Sequence, residues 1–141
     1  MASESFGGIA LLSIHPEYAR SIIRGEKKAE FRKTRFREKI SHVVIYATTP
    51  IQKVVGYCEV ARIEEGTPWK LWMRHGKVGG ILYKEFKKYF GSSSFGVAIR
   101  VRHPQALKHP IPLSVVGDSI LPPQSFSYLT RKAFETIREY A

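Results

Sequence analysis

A chain of 141 residues that is 43% hydrophobic is long enough to fold as one packed domain and too apolar for global disorder. Its 23 Lys and Arg against 12 Asp and Glu leave a net charge of +11, which favours a polyanionic partner over a merely solvated basic surface. The single cysteine, Cys58, excludes an internal disulfide framework, the apolar run Ile9 to Ile14 is too short to span a bilayer, and no segment has the order of a signal peptide. These features predict a cytoplasmic protein with no membrane partner.

Residues 1–8 read as a loose lead-in and 9–141 as a single domain without repeats or linkers. Ile9 to Ile14 reads as a buried strand. His15-Pro16-Glu17 opens a helix, because proline suits the first turn and Glu17 complements the dipole; Ala19, Ile22 and Ile23 recur at helical spacing and Gly25 closes it in a left-handed cap. Lys28 to Thr34 alternates as a strand, with Ala29 and Phe31 opposite Glu30 and Arg32. Val43 to Thr48 is apolar on both faces, hence central; Thr49-Pro50 turns the chain, and Val54 to Ile63 is a strand with Gly56 as a candidate bulge. Helices follow around Trp69 to Trp72 and over Ile81 to Phe90, then a Gly91 to Ser94 loop. Phe95 to Arg102 alternates as a half-buried strand. Pro104 to Pro123 reads as extended or looped, with a short strand near Ile111 to Val116, and Thr130 caps a last helix carrying Phe134 and Ile137. Strands are not separated by regular crossover helices, so an α+β fold built on a small mixed β-barrel with flanking helices fits better than a doubly wound sheet.

The charge is uneven. Arg20 to Lys39 holds nine basic residues against three acids, +6, and Lys70 to Lys88 holds six against one, +5. The expectation is that both stretches share one basic face. Within the first, Lys27 sits at a turn and Glu30 and Arg32 project from one strand face, so a carboxylate and two cations converge. The alternatives are a ligand patch, in which Glu30 orients the cations or accepts a base N–H, and an ion-pair lattice on an exposed strand.

Gly25-x-Lys27-x-x-Glu30-x-Arg32, preceded by the Pro16 to Arg24 helix, resembles the signature of the ASCH domain, a branch of the PUA-like superfamily. Leu12 to Pro16, Val44 to Ala47, Val55 to Val60, Gly96 to Ile99 and Pro122 to Phe126 are similar to that family in the same order. The resemblance covers about Ile9 to Leu129. It implies a PUA-like barrel with a cleft against the first helix, lined by the Gly-x-Lys segment, and RNA binding as the inferred role. Some members are an amidohydrolase on acetylated cytidine or a ribonuclease. The amidohydrolase has a lysine at the position of Lys27, a threonine where this chain has Glu30, and a glutamate in a helix after the fourth strand, where this chain reads Pro68 to Trp72; Glu64 and Glu65 lie just before it.

The predicted nucleic-acid site is therefore Lys27, Lys28, Glu30, Arg32, Lys33 and Arg35, with Ser92, Ser93 and Ser94 offering hydroxyls and N–H groups to a phosphate. Lys27 and Glu30 are the candidate catalytic pair should the chain be a hydrolase of RNA or modified nucleosides; whether it is an enzyme stays open. A partner-binding regulatory module is the third reading. No cofactor or metal is called for, because His15, His42, His75, His103 and His109 are scattered and none pairs with Cys58 at ligand spacing. Cys58, on a strand face with Val54 and Val60, reads as a buried inert thiol, and Tyr46 as core. Trp69 and Trp72, three apart on one helix face, read as core ahead of a base-stacking platform. The partner predicted first is RNA or another single-stranded nucleic acid; the sequence does not give the oligomeric state.

Overall fold

The computed structural model describes residues 7–141. The chain runs through β1 (Gly8–Ile14), α1 (Pro16–Ile23), β2 (Ala29–Arg32), β3 (Ile40–Ala47), β4 (Lys53–Gly66), α2 (Pro68–His75), a 3₁₀ turn (Gly76–Val78), α3 (Tyr83–Phe90), β5 (Gly96–Ile111), α4 (Leu113–Val116), β6 (Phe126–Leu129) and α5 (Arg131–Arg138). β1 begins inside the expected lead-in; residues 1–6 lie outside the described residues. The six strands form one sheet in the order β2-β5-β4-β3-β1-β6. Only β1 and β3 pair in parallel, and α1 lies in the crossover such a pair requires.

The sheet is mixed, as expected, but its backbone ladder does not close, which corrects the barrel. β2 and β6 remain edges. Side chains bridge the seam instead: Arg32 on β2 donates to the Ser13 carbonyl on β1 and to the Ser125 carbonyl just before β6, at 2.9 and 3.2 Å. The loop after β2 adds a Phe36–Phe126 ring contact at 4.6 Å and a bond from the Arg37 N–H to the Tyr128 hydroxyl at 2.8 Å.

Three apolar clusters hold the elements. Ala19 and Ile22 of α1 pack with Leu12, Ile45, Cys58 and Ile99 inside the curl of the sheet. Phe134 and Ile137 of α5 cover Leu11, Val44 and Tyr46. Leu71 of α2 and Phe86 and Phe90 of α3 pack on Ala29, Phe31 and Ala98 at the β2–β5 edge. Gly56 allows a close crossing, since a Cβ there would lie 2.5 Å from the Gln105 carbonyl oxygen. The register of β4 slips at this point, so Val54 joins the α5 cluster and Cys58 the α1 cluster; they do not share a face. Cys58 is buried, and desolvation pushes its thiol up to about 12.

Other expectations fail for local reasons. The strand placed near Ile111 to Val116 is instead the end of β5, followed by one helical turn. β5 runs through Pro104 and Pro110 because β2 leaves it at Arg100, so the later half has only β4 beside it and tolerates prolines. β6, just past the proline-rich stretch, is not among the expected strands. Trp69 is 60% exposed, so only Trp72 joins the core. Among the described residues, no helix is long and apolar enough to cross a membrane.

Candidate nucleic-acid interface

The turn after α1 fixes Lys27. Gly25 takes φ +80°, which a side chain disfavours, and the N–H groups of Glu26 and Lys27 both donate to the Ser21 carbonyl at 3.0 and 3.1 Å. Lys27 thereby points beneath the turn that follows α2, where its ammonium donates to the Gly79 carbonyl. Gly80, at φ +60°, lets that turn lie flat on Lys27, since a Cβ there would sit 2.8 Å from the Lys27 Cβ. The Lys28 N–H fastens the same crossing to the Val78 carbonyl at 2.7 Å.

β2 then brings Glu30 and Arg32 to Lys27. Glu30 Oε1 lies 3.5 Å from Lys27 Nζ, and Glu30 Oε2 accepts from Arg32 Nη2 and Nε at 2.7 and 3.1 Å. Of the two alternatives, the lattice on an exposed strand does not hold, because this face is interior: the side chains of Lys27, Arg32 and Glu30 are 2%, 8% and 12% exposed. Arg32 also reaches the Ser125 hydroxyl at 3.2 Å, so its donors are spent on Glu30 and the seam. The Lys27 ammonium has three donors; among the described residues Gly79 and Glu30 engage two, which leaves one. Burial lowers the Lys27 pKa, with Glu30 opposing the shift and Arg32 adding to it.

These residues line a cleft of about 530 Å³, the size of a small-molecule site. Its walls are Tyr18 of α1, Phe31 of β2 and Tyr89 of α3, with Lys27 Nζ 5.0 Å from the Tyr18 ring centre. Burial raises the Tyr18 and Tyr89 hydroxyl pKa values, and Glu17, Glu85 and Glu30 raise Tyr18 further. Both basic stretches reach the cleft, Lys27 and Arg32 from the first and Lys88 from the second.

The other predicted residues divide. Lys33 stands at the cleft edge, its ammonium 4.9 Å from the Tyr89 ring centre. Lys28 is exposed. Arg35 is outside the cleft, paired with Glu65 at 3.0 Å and stacked over Phe95 at 4.8 Å, because the chain turns away after β2. Ser93 and Ser94 line a different hollow, beyond α3, and Ser92 is exposed. Glu64 is not in the cleft either: it bonds His75 Nε2 at 2.8 Å. Sequence reasoning missed Tyr18, Lys88, Tyr89 and above all Glu85, which brings a second carboxylate into the cleft from α3, with no ion-pair partner among the described residues. The i, i+4 spacing of Glu85 and Tyr89 was the available signal. No cluster of three or more metal-ligating side chains occurs among the described residues.

Known proteins resemble this chain in sequence and fold over most of its length. The ASCH domain model matches residues 12–105. An ASCH domain-containing ribonuclease of Zymomonas mobilis is 30% identical over 127 residues, covering 87% of this chain and 85% of that protein. The crystal structure of ASCH from Zymomonas mobilis matches with a TM-score of 0.85 at 28% identity, covering 93% of this chain and 94% of that one. Large ribosomal subunit protein uL22 of Ureaplasma parvum is 28% identical over 120 residues, which is 84% of this chain and 38% of that protein. With the family match spanning well over half its length, the chain belongs to the ASCH domain family.

Proposed function

We propose that this ASCH domain binds single-stranded RNA by seating an unstacked base in the cleft between α1, β2 and α3. The observation that carries this reading is the buried Lys27–Glu30–Arg32 network on an aromatic-walled cleft. Rings can sandwich a base, and a fixed carboxylate and ammonium can read its edge. Lys33 and Lys88 at the rim suit the flanking phosphates. The ribonuclease relative supports an RNA-directed role.

A second reading, hydrolysis of RNA or a modified nucleoside, is favoured by that relative and by Glu85. Glu30 is engaged by two cations and positions Lys27. Glu85 is the carboxylate better placed to take a proton, and the remaining Lys27 donor suits a developing oxyanion.

Fluorescence anisotropy with an unstructured RNA across a salt series tests the first reading. The expected result is micromolar or weaker binding that falls with salt. Lys27→Ala should cost about 1–3 kcal/mol of affinity while Lys27→Arg retains binding. Mass detection of products tests the second: turnover that Lys27→Ala and Glu85→Gln each reduce by about a hundredfold or more, with binding kept, would make the protein a hydrolase. Binding indifferent to salt would leave the partner-binding module standing, and absence of binding and turnover at low salt would overturn both.

A further inference from the structure

Four exposed aromatic and aliphatic residues gather on α2 and at the start of α3, on the far side of α3 from the cleft. Trp69, Met73, Leu82 and Tyr83 are 60%, 66%, 69% and 41% exposed. Exposing an indole this fully costs hydrophobic burial that α2 obtains elsewhere through Leu71 and Trp72. Trp69 and Tyr83 stand edge to face, ring centres 6.2 Å apart and 79° between planes; Trp72 and Phe86 also pack on Tyr83, so the open ring surface is mainly that of Trp69. Beside them is a hollow of about 350 Å³ bounded by Lys87, Ser93 and Ser94.

The exposed charged residues of α2, α3 and the turn between them are all basic. Lys70, Lys77, Lys84 and Lys87 are exposed and have no ion-pair partner among the described residues. An apolar ring pair set among unpaired lysines is complementary to a strand that offers flat bases and phosphates together. Continuity favours the same occupant as the cleft: Phe86 lines both hollows, and Tyr83 lies nearly parallel to it at 6.4 Å. α3 is thus a ridge with one ring-lined depression on each side.

We propose that Trp69 and Tyr83 form a second base-stacking platform, so that a single strand held in the cleft continues over α3 and stacks a neighbouring base there, with Lys70 and Lys87 on its phosphates. The inference rests on the cleft reading above, and it supplies a role for the serine loop and for a tryptophan that the core does not use.

Two oligonucleotides separate the platform from the cleft. A dinucleotide fills only the cleft, whereas an unstructured strand of about ten nucleotides reaches both. Trp69→Leu keeps apolar area but removes the stacking face, and it should weaken the longer strand about tenfold while leaving the dinucleotide unchanged. Trp69→Phe should restore most of that loss. Lys27→Ala should weaken both strands. In a Trp72→Phe background Trp69 is the only tryptophan, and the longer strand should quench its emission. Thermal melting checks that each variant is folded, which the exposure of Trp69 favours. Unchanged affinity of the longer strand for Trp69→Leu, with Lys27→Ala still weakening both, would overturn the platform and leave the cleft intact. Failure of Lys27→Ala to weaken the dinucleotide would count against the cleft itself. An emission change with phosphatidylglycerol vesicles but not with RNA would also overturn the platform, because the patch would then be a lipid surface.

Discussion

The carboxylates of Glu30 and Glu64 are each gripped by a pair of nitrogen groups, and the settings differ. Glu30 is held by Lys27 and Arg32, and Glu64 by His75 and Arg74. His75 is fully buried and its Nδ1 faces Arg100 Nη1 at 3.3 Å; a guanidinium can only donate, so Nδ1 accepts and Nε2 carries the proton given to Glu64. That chain runs from β5 through the end of α2 to β4, and both ring nitrogens of the imidazole are spent on the protein. The Glu30 network also ties elements together, through Gly79, Ser13 and Ser125, but it opens on a cleft. Burying a lysine where an apolar residue would pack at less desolvation cost is a weak way to stabilise a fold, even when its ammonium fastens the Gly79 turn. The comparison separates a clasp that anchors a helix from a network arranged toward a ligand.

Removing Glu30 should have the largest effect. Glu30→Ala leaves two buried cations facing one another, and about 3 kcal/mol of unfolding free energy should be lost in chemical denaturation. A loss under about 0.5 kcal/mol would mean that water already solvates the network, and the contrast with an exposed ion pair would vanish.

His75→Ala should cost about 2 kcal/mol, from a lost charged hydrogen bond and a small cavity. RNA affinity should not change. If titrations showed that affinity falling in step with Lys27→Ala, the two networks would not be functionally distinct.

The networks should also titrate at opposite ends of the pH scale. His75 hydrogen bonding holds Glu64 below the ordinary carboxylate range. Its contribution to stability is therefore present above that range and lost as pH falls through the depressed value, and Glu64→Gln should flatten this acid limb. Burial lowers Lys27, so between its folded value and the ordinary lysine range the unfolded chain binds the extra proton. Lys27 stability should accordingly rise with pH across that window, while RNA affinity falls there as the ammonium is lost; Lys27→Arg should hold affinity to higher pH. Parallel melts and binding curves over pH would show either limb missing.

The Arg35–Glu65 pair sets the baseline. Its side chains are 61% and 42% exposed, so Arg35→Ala should shift stability by no more than about 0.5 kcal/mol. A larger loss would assign weight to the Phe95 stacking contact rather than to the charge pair.

Local chemistry made much of this protein legible from its residues alone. Pro16 and Gly25 bound α1 because one suits a first turn and the other a left-handed exit, and the doubly apolar Val43 to Ala47 could only be a central strand. The spacing of Lys27, Glu30 and Arg32 put three charges on one side of a short segment. Whether that side met water was decided by the turn at Gly79-Gly80, which is far away in sequence and closes over Lys27. The same long-range packing placed Glu85 opposite Glu30, carried Arg35 and the serine loop out of the cleft, and left Trp69 in solvent. Alternation and capping are set by neighbours along the chain, so sequence determines them. Burial depends on which distant segment arrives, and a helix face that looks apolar is covered only if one does.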